Sequence, residues 1–147
     1  MDKILSIDPG GKTGIYYKNG EQETFLEINK EWKETYGEIK ELVKEKQIQQ
    51  VIYEDTNYIH RKTKDGLNLF RLLGALECLE VKKIEKVNVL AVKKLTKQLL
   101  AGVKKLEEIS YEVGRGKGWM FKGKRVSIHC LEAYIVYWLF FQSQSQM

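Results

Sequence analysis

The chain has 147 residues, 43% hydrophobic and 31% charged, with a formal net charge of +5, which is enough sequence for one domain with its own core. No run approaches ~20 apolar residues and the N-terminus enters its first strand at once, so a membrane span, a membrane partner and a signal peptide are not expected, and a cytoplasmic location is. Cys78 and Cys130 form no CxxC pair, which excludes a disulfide framework or zinc spacing.

The charge is unevenly spread. Residues 1–60 carry 8 Lys/Arg against 12 Asp/Glu, whereas residues 61–147 carry 17 against 8. The basic half suits a polyanion, because clustered cations gain affinity by releasing its condensed counterions, although a solvated lysine-rich face has the same composition.

The first element is the stretch KILSIDPGGKTGIYY, residues 3–17. Ile4, Leu5 and Ile7 form a short apolar strand that stops at Asp8-Pro9-Gly10-Gly11. Asp8 therefore ends a buried strand, where a carboxylate needs donors or a cation; capping the Pro-Gly turn would be the structural alternative. Thr13–Lys18 and Gln22–Ile28 read as two further strands around an Asn19-Gly20 hairpin, giving an antiparallel meander. Asn29 is expected to cap an amphipathic helix running to about Lys46, on which Trp32, Tyr36, Ile39 and Val43 recur at helical spacing.

Gln50–Asp55 (QVIYED) reads as a fourth strand, again ending in carboxylates. The two-residue period sends Glu54 and Asp55 to opposite faces, so only one of them can share a site with Asp8. The loop Thr56–Lys64 combines Tyr58 and His60 with Arg61, Lys62 and Lys64, a composition suited to base stacking and phosphate contact. Asp65–Glu80 reads as a helix with two apolar stripes. Leu69, Leu72, Leu73, Leu76 and Leu79 form the wider one; Leu67, Phe70, Gly74 and Cys78 form the other, which fits a second subunit or deep burial within the chain.

Lys86–Leu90 is expected as a fifth strand and Val92–Leu100 as a helix, with Val92, Leu95 and Leu99 inward and Lys93, Lys94 and Lys97 outward. Gly102–Arg125 reads as irregular, ending in the basic, glycine-rich GRGKGWMFKGKR, with Arg115, Lys117, Lys122, Lys124 and Arg125 beside Trp119 and Phe121. Ser127 is expected to cap a final helix from Ile128 to about Phe141, apolar on most sides and therefore buried. One domain over 1–142 and a frayed polar tail over 143–147 follow. His129 and Glu132, three apart, share one face of that last helix. With Asp8 and Glu54 they offer carboxylate oxygens and one nitrogen, a donor set suited to Mg2+ or Mn2+.

An acid ending the first strand before Pro-Gly, a three-stranded meander, an acid ending the fourth strand and a last helix with paired ligands occur together. On ILSIDPGGKTG with Asp8, VIYEDTNY with Glu54, LNLFRLLGAL, and SIHCLEAY with His129 and Glu132, the chain resembles the RuvC-like Holliday junction resolvases of the ribonuclease H-like superfamily. The resemblance implies an α/β fold with a five-stranded mixed sheet, antiparallel in strands 1–3 and otherwise parallel, flanked by helices. It also implies a homodimer and metal-dependent cleavage of branched DNA. Asp8, Glu54, His129 and Glu132 would be the catalytic ligands of two divalent ions that support in-line attack of water on a phosphodiester.

By the same likeness Tyr58 would stack at the junction. Lys122 and Lys124, the first choices in the basic stretch, would neutralise the scissile phosphate, with Arg61, Lys62, Lys64, Lys93, Lys94, Arg115, Lys117 and Arg125 as further DNA contacts. Leu67, Phe70, Gly74 and Cys78 would form the dimer interface. Glu132 and His129 each stand where the commonest family pattern has Asp. A non-catalytic branched-DNA-binding module and a RuvC-like nuclease acting on structured RNA remain alternatives.

Overall fold

The computed structural model describes residues 2–56, 59, 62–114 and 118–145. A five-stranded mixed sheet is ordered β3-β2-β1-β4-β5, from β1 (Lys3–Asp8), β2 (Thr13–Asn19), β3 (Gln22–Ile28), β4 (Gln50–Asp55) and β5 (Lys83–Asn88). The first three strands pair antiparallel, whereas β4 runs parallel to β1 and β5 parallel to β4. Gly20, with φ of 64°, takes the left-handed position that the Asn-Gly hairpin requires.

Strand parity divides the interior into two cores. Leu5, Ile7, Ile15, Val51 and Tyr53 face α1 (Trp32–Glu45) and α2 (Lys64–Leu76), while Ile4, Tyr16 and Ile52 face α3 (Val89–Leu100) and α4 (Ile128–Ser145). Asp8 has the parity of Ile4, and Glu54 that of Ile52. Both acids therefore lie on the α4 face, and Asp55 does not.

The bounds of α1, α2 and β5 differ from the sequence reading. Helix α1 begins at Trp32, not at an Asn29 cap: Glu31 is its N-cap, and the Trp32 N–H donates to Asn68 Oδ1 on α2 at 2.7 Å. Thr63 caps α2 by accepting from the Gly66 N–H, and the helix ends at Leu76, short of the expected Glu80. The fifth strand is Lys83–Asn88 instead of Lys86–Leu90, because Asn88 Oδ1 accepts from the Leu90 N–H at 2.7 Å and turns Val89 onward into α3. As expected, Ser127 Oγ accepts from the Cys130 N–H at the start of α4, which continues beyond Phe141 to Ser145.

The largest correction concerns Gly102–Arg125. This segment carries β6 (Ile109–Glu112), β7 (Gly118–Phe121) and β8 (Lys124–Arg125), an antiparallel sheet of its own. Lys122 and Gly123, with φ of 50° and 81°, make its tight turn. Trp119 and Phe121 are buried, and the Phe121 ring lies 4.7 Å from Tyr134 and 5.0 Å from Phe25. Cys130 through Val136 are buried without interruption because the main sheet, α3 and this small sheet all pack against α4.

Candidate metal centre

Strands β1 and β4 bring their C-terminal ends together, with Ile7 opposite Tyr53, so the next residues on each strand are Asp8 and Glu54. Helix α4 supplies the third acid. It can lie close because Gly14, the register partner of Asp8, has no side chain: a Cβ there would fall 2.0 Å from the His129 carbonyl oxygen. Ser6 Oγ then donates to the Ala133 carbonyl at 2.7 Å and pins the next turn to β1. Asp8, Glu54 and Glu132 consequently each present an oxygen, all within 4.8 Å of one another.

These acids sit where water can do little to solvate them. Asp8 is 6% exposed and Glu132 4%. Burial, then the nearby charges of Glu54 and Glu132, push the Asp8 carboxyl up to about 9. Burial and the Glu132 charge raise Glu54 to about 7. At neutral pH, then, the metal-free cluster holds protons, since three adjacent buried charges would repel strongly. Glu54 Oε2 is buried and lacks a hydrogen-bond partner among the described residues. An all-carboxylate group with a buried acceptor left over fits a hard divalent cation.

Lys93 answers part of the charge. From α3 its Nζ donates to both oxygens of Glu132, at 2.9 and 2.7 Å. Burial works against this ammonium, but the Glu132 hydrogen bond and the charges of Glu132, Glu54 and Asp8 outweigh it and hold its pKa above the usual lysine value. Lys93 is exposed, as expected for the outward face of α3, and its head also reaches Glu132 in the cluster.

His129 reaches Asp8, Nδ1 to Oδ2 at 3.6 Å, but stands outside the group of oxygens that converge within 4.8 Å. Lys122 lies apart from these carboxylates. It ion-pairs with Glu23, which stands opposite Lys18 on β2, whereas Asp8 stands opposite Gly14, so about 13 Å of strand separates the two levels. With Lys124, Arg125, Glu21, Glu23 and Phe25 it lines a groove of about 300 Å³. Among the described residues, Lys93 is the cation hydrogen-bonded to the carboxylates.

Lys62, Lys64 and Lys94 are exposed. Tyr58, His60, Arg61, Arg115 and Lys117 lie outside the described residues. On α2, Leu72, Leu73 and Leu76 are buried against the sheet and α1. Phe70 and Gly74 on the opposite side, and Cys78 just past the end of the helix, are exposed, and Leu67 is half-buried. Among the described residues no helix is long and apolar enough to cross a membrane.

No protein-family model and no curated protein sequence matches the chain. Solved structures do. Thermus thermophilus RuvC in complex with a Holliday junction substrate is similar over 100% of this chain and 98% of its own, with a TM-score of 0.63 and 15% identity. A second Thermus thermophilus RuvC structure gives a TM-score of 0.54 and 20% identity, over 98% of this chain and 96% of its own. The fold is thus of the ribonuclease H-like class, with acids at the ends of two adjacent parallel strands facing the last helix. Within that class it is the RuvC fold.

Proposed function

We propose that this protein is a divalent-metal-dependent, structure-selective endodeoxyribonuclease that resolves Holliday junctions and related branched DNA by paired nicks, acting as a homodimer. The observation that carries this reading is the convergence of Asp8, Glu54 and Glu132 on the α4 face, with a buried Glu54 oxygen that has no protein partner among the described residues. A binding module would have no use for three converging acids, two of them with raised pKa values. The RuvC structure solved with a Holliday junction substrate supports branched DNA as the substrate class.

In this reading Asp8, Glu54 and Glu132 hold Mg2+ or Mn2+, with His129 beside Asp8. The bound metal supplies a water of lowered pKa and a Lewis acid for the developing charge on the leaving oxygen. The protein's own part is to orient and neutralise. Gly14 and Ser6 fix α4 so that Glu132 meets the strand-end acids, and Lys93 brings a cation to where a phosphate would sit. Lys62, Lys64, Lys94, Arg61, Arg115 and Lys117 would contact flanking phosphates, with Lys122, Lys124 and Arg125 farther along an arm, and Tyr58 would stack on an unpaired base.

Cleavage of a labelled synthetic four-way junction is the test, beside linear duplex of the same sequence, in Mg2+, Mn2+ or EDTA, with Asp8→Asn as control. Metal-dependent nicks in opposite strands of the junction, absent from the variant, are expected. Tight junction binding without cleavage in either metal would replace this reading with the binding module. Cleavage of structured RNA in preference to the junction would move the substrate class to RNA.

A further inference from the structure

Glu132 and Glu54 are partnered in opposite ways. The two Glu132 oxygens are bridged by one ammonium, whereas Glu54 keeps a buried oxygen without a partner among the described residues. The bridge is also asymmetric in mobility: the Glu132 side chain is 6% exposed and held on a packed helix, while the Lys93 side chain is 51% exposed on a flexible four-carbon stem. A divalent ion shared by Asp8, Glu54 and Glu132 must approach the oxygens that Lys93 already holds. Ammonium and metal are like charges that would then face each other across one carboxylate in a poorly solvated site. The lysine is the partner with somewhere to go.

We propose that Lys93 is a resident counter-ion that exchanges with the metal: it occupies Glu132 in the metal-free protein and must leave that carboxylate for a divalent ion to load. The inference rests on the reading of Asp8, Glu54 and Glu132 as a metal site. Lys93 thereby weakens metal binding in the absence of DNA and stabilises the empty site. Once displaced, its head lies at the rim of the cluster, free to take a phosphate oxygen of a bound strand.

The exchange predicts a sign opposite to that of an ordinary supporting residue. Loss of an outer-shell partner typically weakens metal binding ~10–100-fold. Here Lys93→Met, of similar length and without charge, should bind Mn2+ about 10-fold more tightly than the parent protein, by titration calorimetry and by the electron paramagnetic resonance signal of free Mn2+. The same variant should melt below the parent in EDTA and recover in saturating Mn2+. Lys93→Arg, which keeps the charge and can hold both Glu132 oxygens with a planar fork, should bind Mn2+ no more tightly than the parent, even if the Met variant does not fold. Equal or weaker Mn2+ binding by Lys93→Met, or tighter binding by Lys93→Arg, overturns the exchange while leaving the metal site intact. Absence of Mn2+ binding from the parent and both variants overturns the metal site and the exchange together.

Discussion

At Asp8 and Glu54, burial first, then the charges of Glu54 and Glu132 on Asp8 and of Glu132 on Glu54, place the folded-state pKa values at about 9 and about 7, above the ordinary 3.8 and 4.5. In the window between those limits the native protein holds protons that the unfolded chain has released. Stability of the metal-free protein therefore falls as pH rises from about 4 towards 9. Melting in EDTA across that range should show the decline, and Asp8→Asn, which removes one titrating acid, should flatten it. Metal loading near pH 7 must expel protons, so Mn2+ binding enthalpies should differ between buffers of different ionisation enthalpy. Independence from buffer would mean that the acids are already ionised. Asp8→Asn should also lower Mn2+ affinity and junction cleavage by more than the ~100-fold that marks the upper range for outer-shell partners.

The elements that carry these acids are held by contacts that make their own predictions. Gly14→Ala would drive a methyl group into the first turn of α4 at His129, so the helix must move or the strand must bend. A loss of about 1–3 kcal/mol or more in denaturant unfolding is expected, with weakened Mn2+ binding because Glu132 rides on the same helix. Unchanged metal affinity in a folded Gly14→Ala protein would show that α4 tolerates the shift. The small sheet is tested through Trp119. Buried on β7 against the α3–α4 core, Trp119 should cost about 3–5 kcal/mol on replacement by Ala, whereas a side chain on an unstructured loop would cost almost nothing.

For the whole molecule, symmetric cutting of a four-way junction needs two sites facing opposite strands. In the proposed homodimer Leu67, Phe70 and Gly74 on α2, with Cys78 just beyond the helix, would form the two-fold surface, and Phe70 is 39% exposed. Leu67→Glu combined with Phe70→Glu should convert a dimer to a monomer by light scattering, with junction binding weakened in parallel. An unchanged mass would remove α2 as the interface.

Sequence alone determined what depends on local chemistry. Short apolar runs in β1 and β4, the Asn19-Gly20 turn and the acid at each strand end located the meander, the two-faced sheet and the strand-borne ligands, because side-chain parity follows from the strand's two-residue period. Glu132 was legible as a charge on an otherwise apolar helix. The isolated Gly14 within a strand also carried a signal of close backbone approach. Tertiary structure decided what depends on distant partners. Asn68 on α2 displaced the start of α1, and pairing with β4 set the register of the charged edge strand β5. The aromatic core gave Trp119 and Phe121 a partner surface that nothing in their glycine-rich surroundings announced. The same reason separates Lys93 from Lys122: both are lysines in a basic half, and only the packing of α3 against α4 brings one to Glu132, while the small sheet carries the other to Glu23.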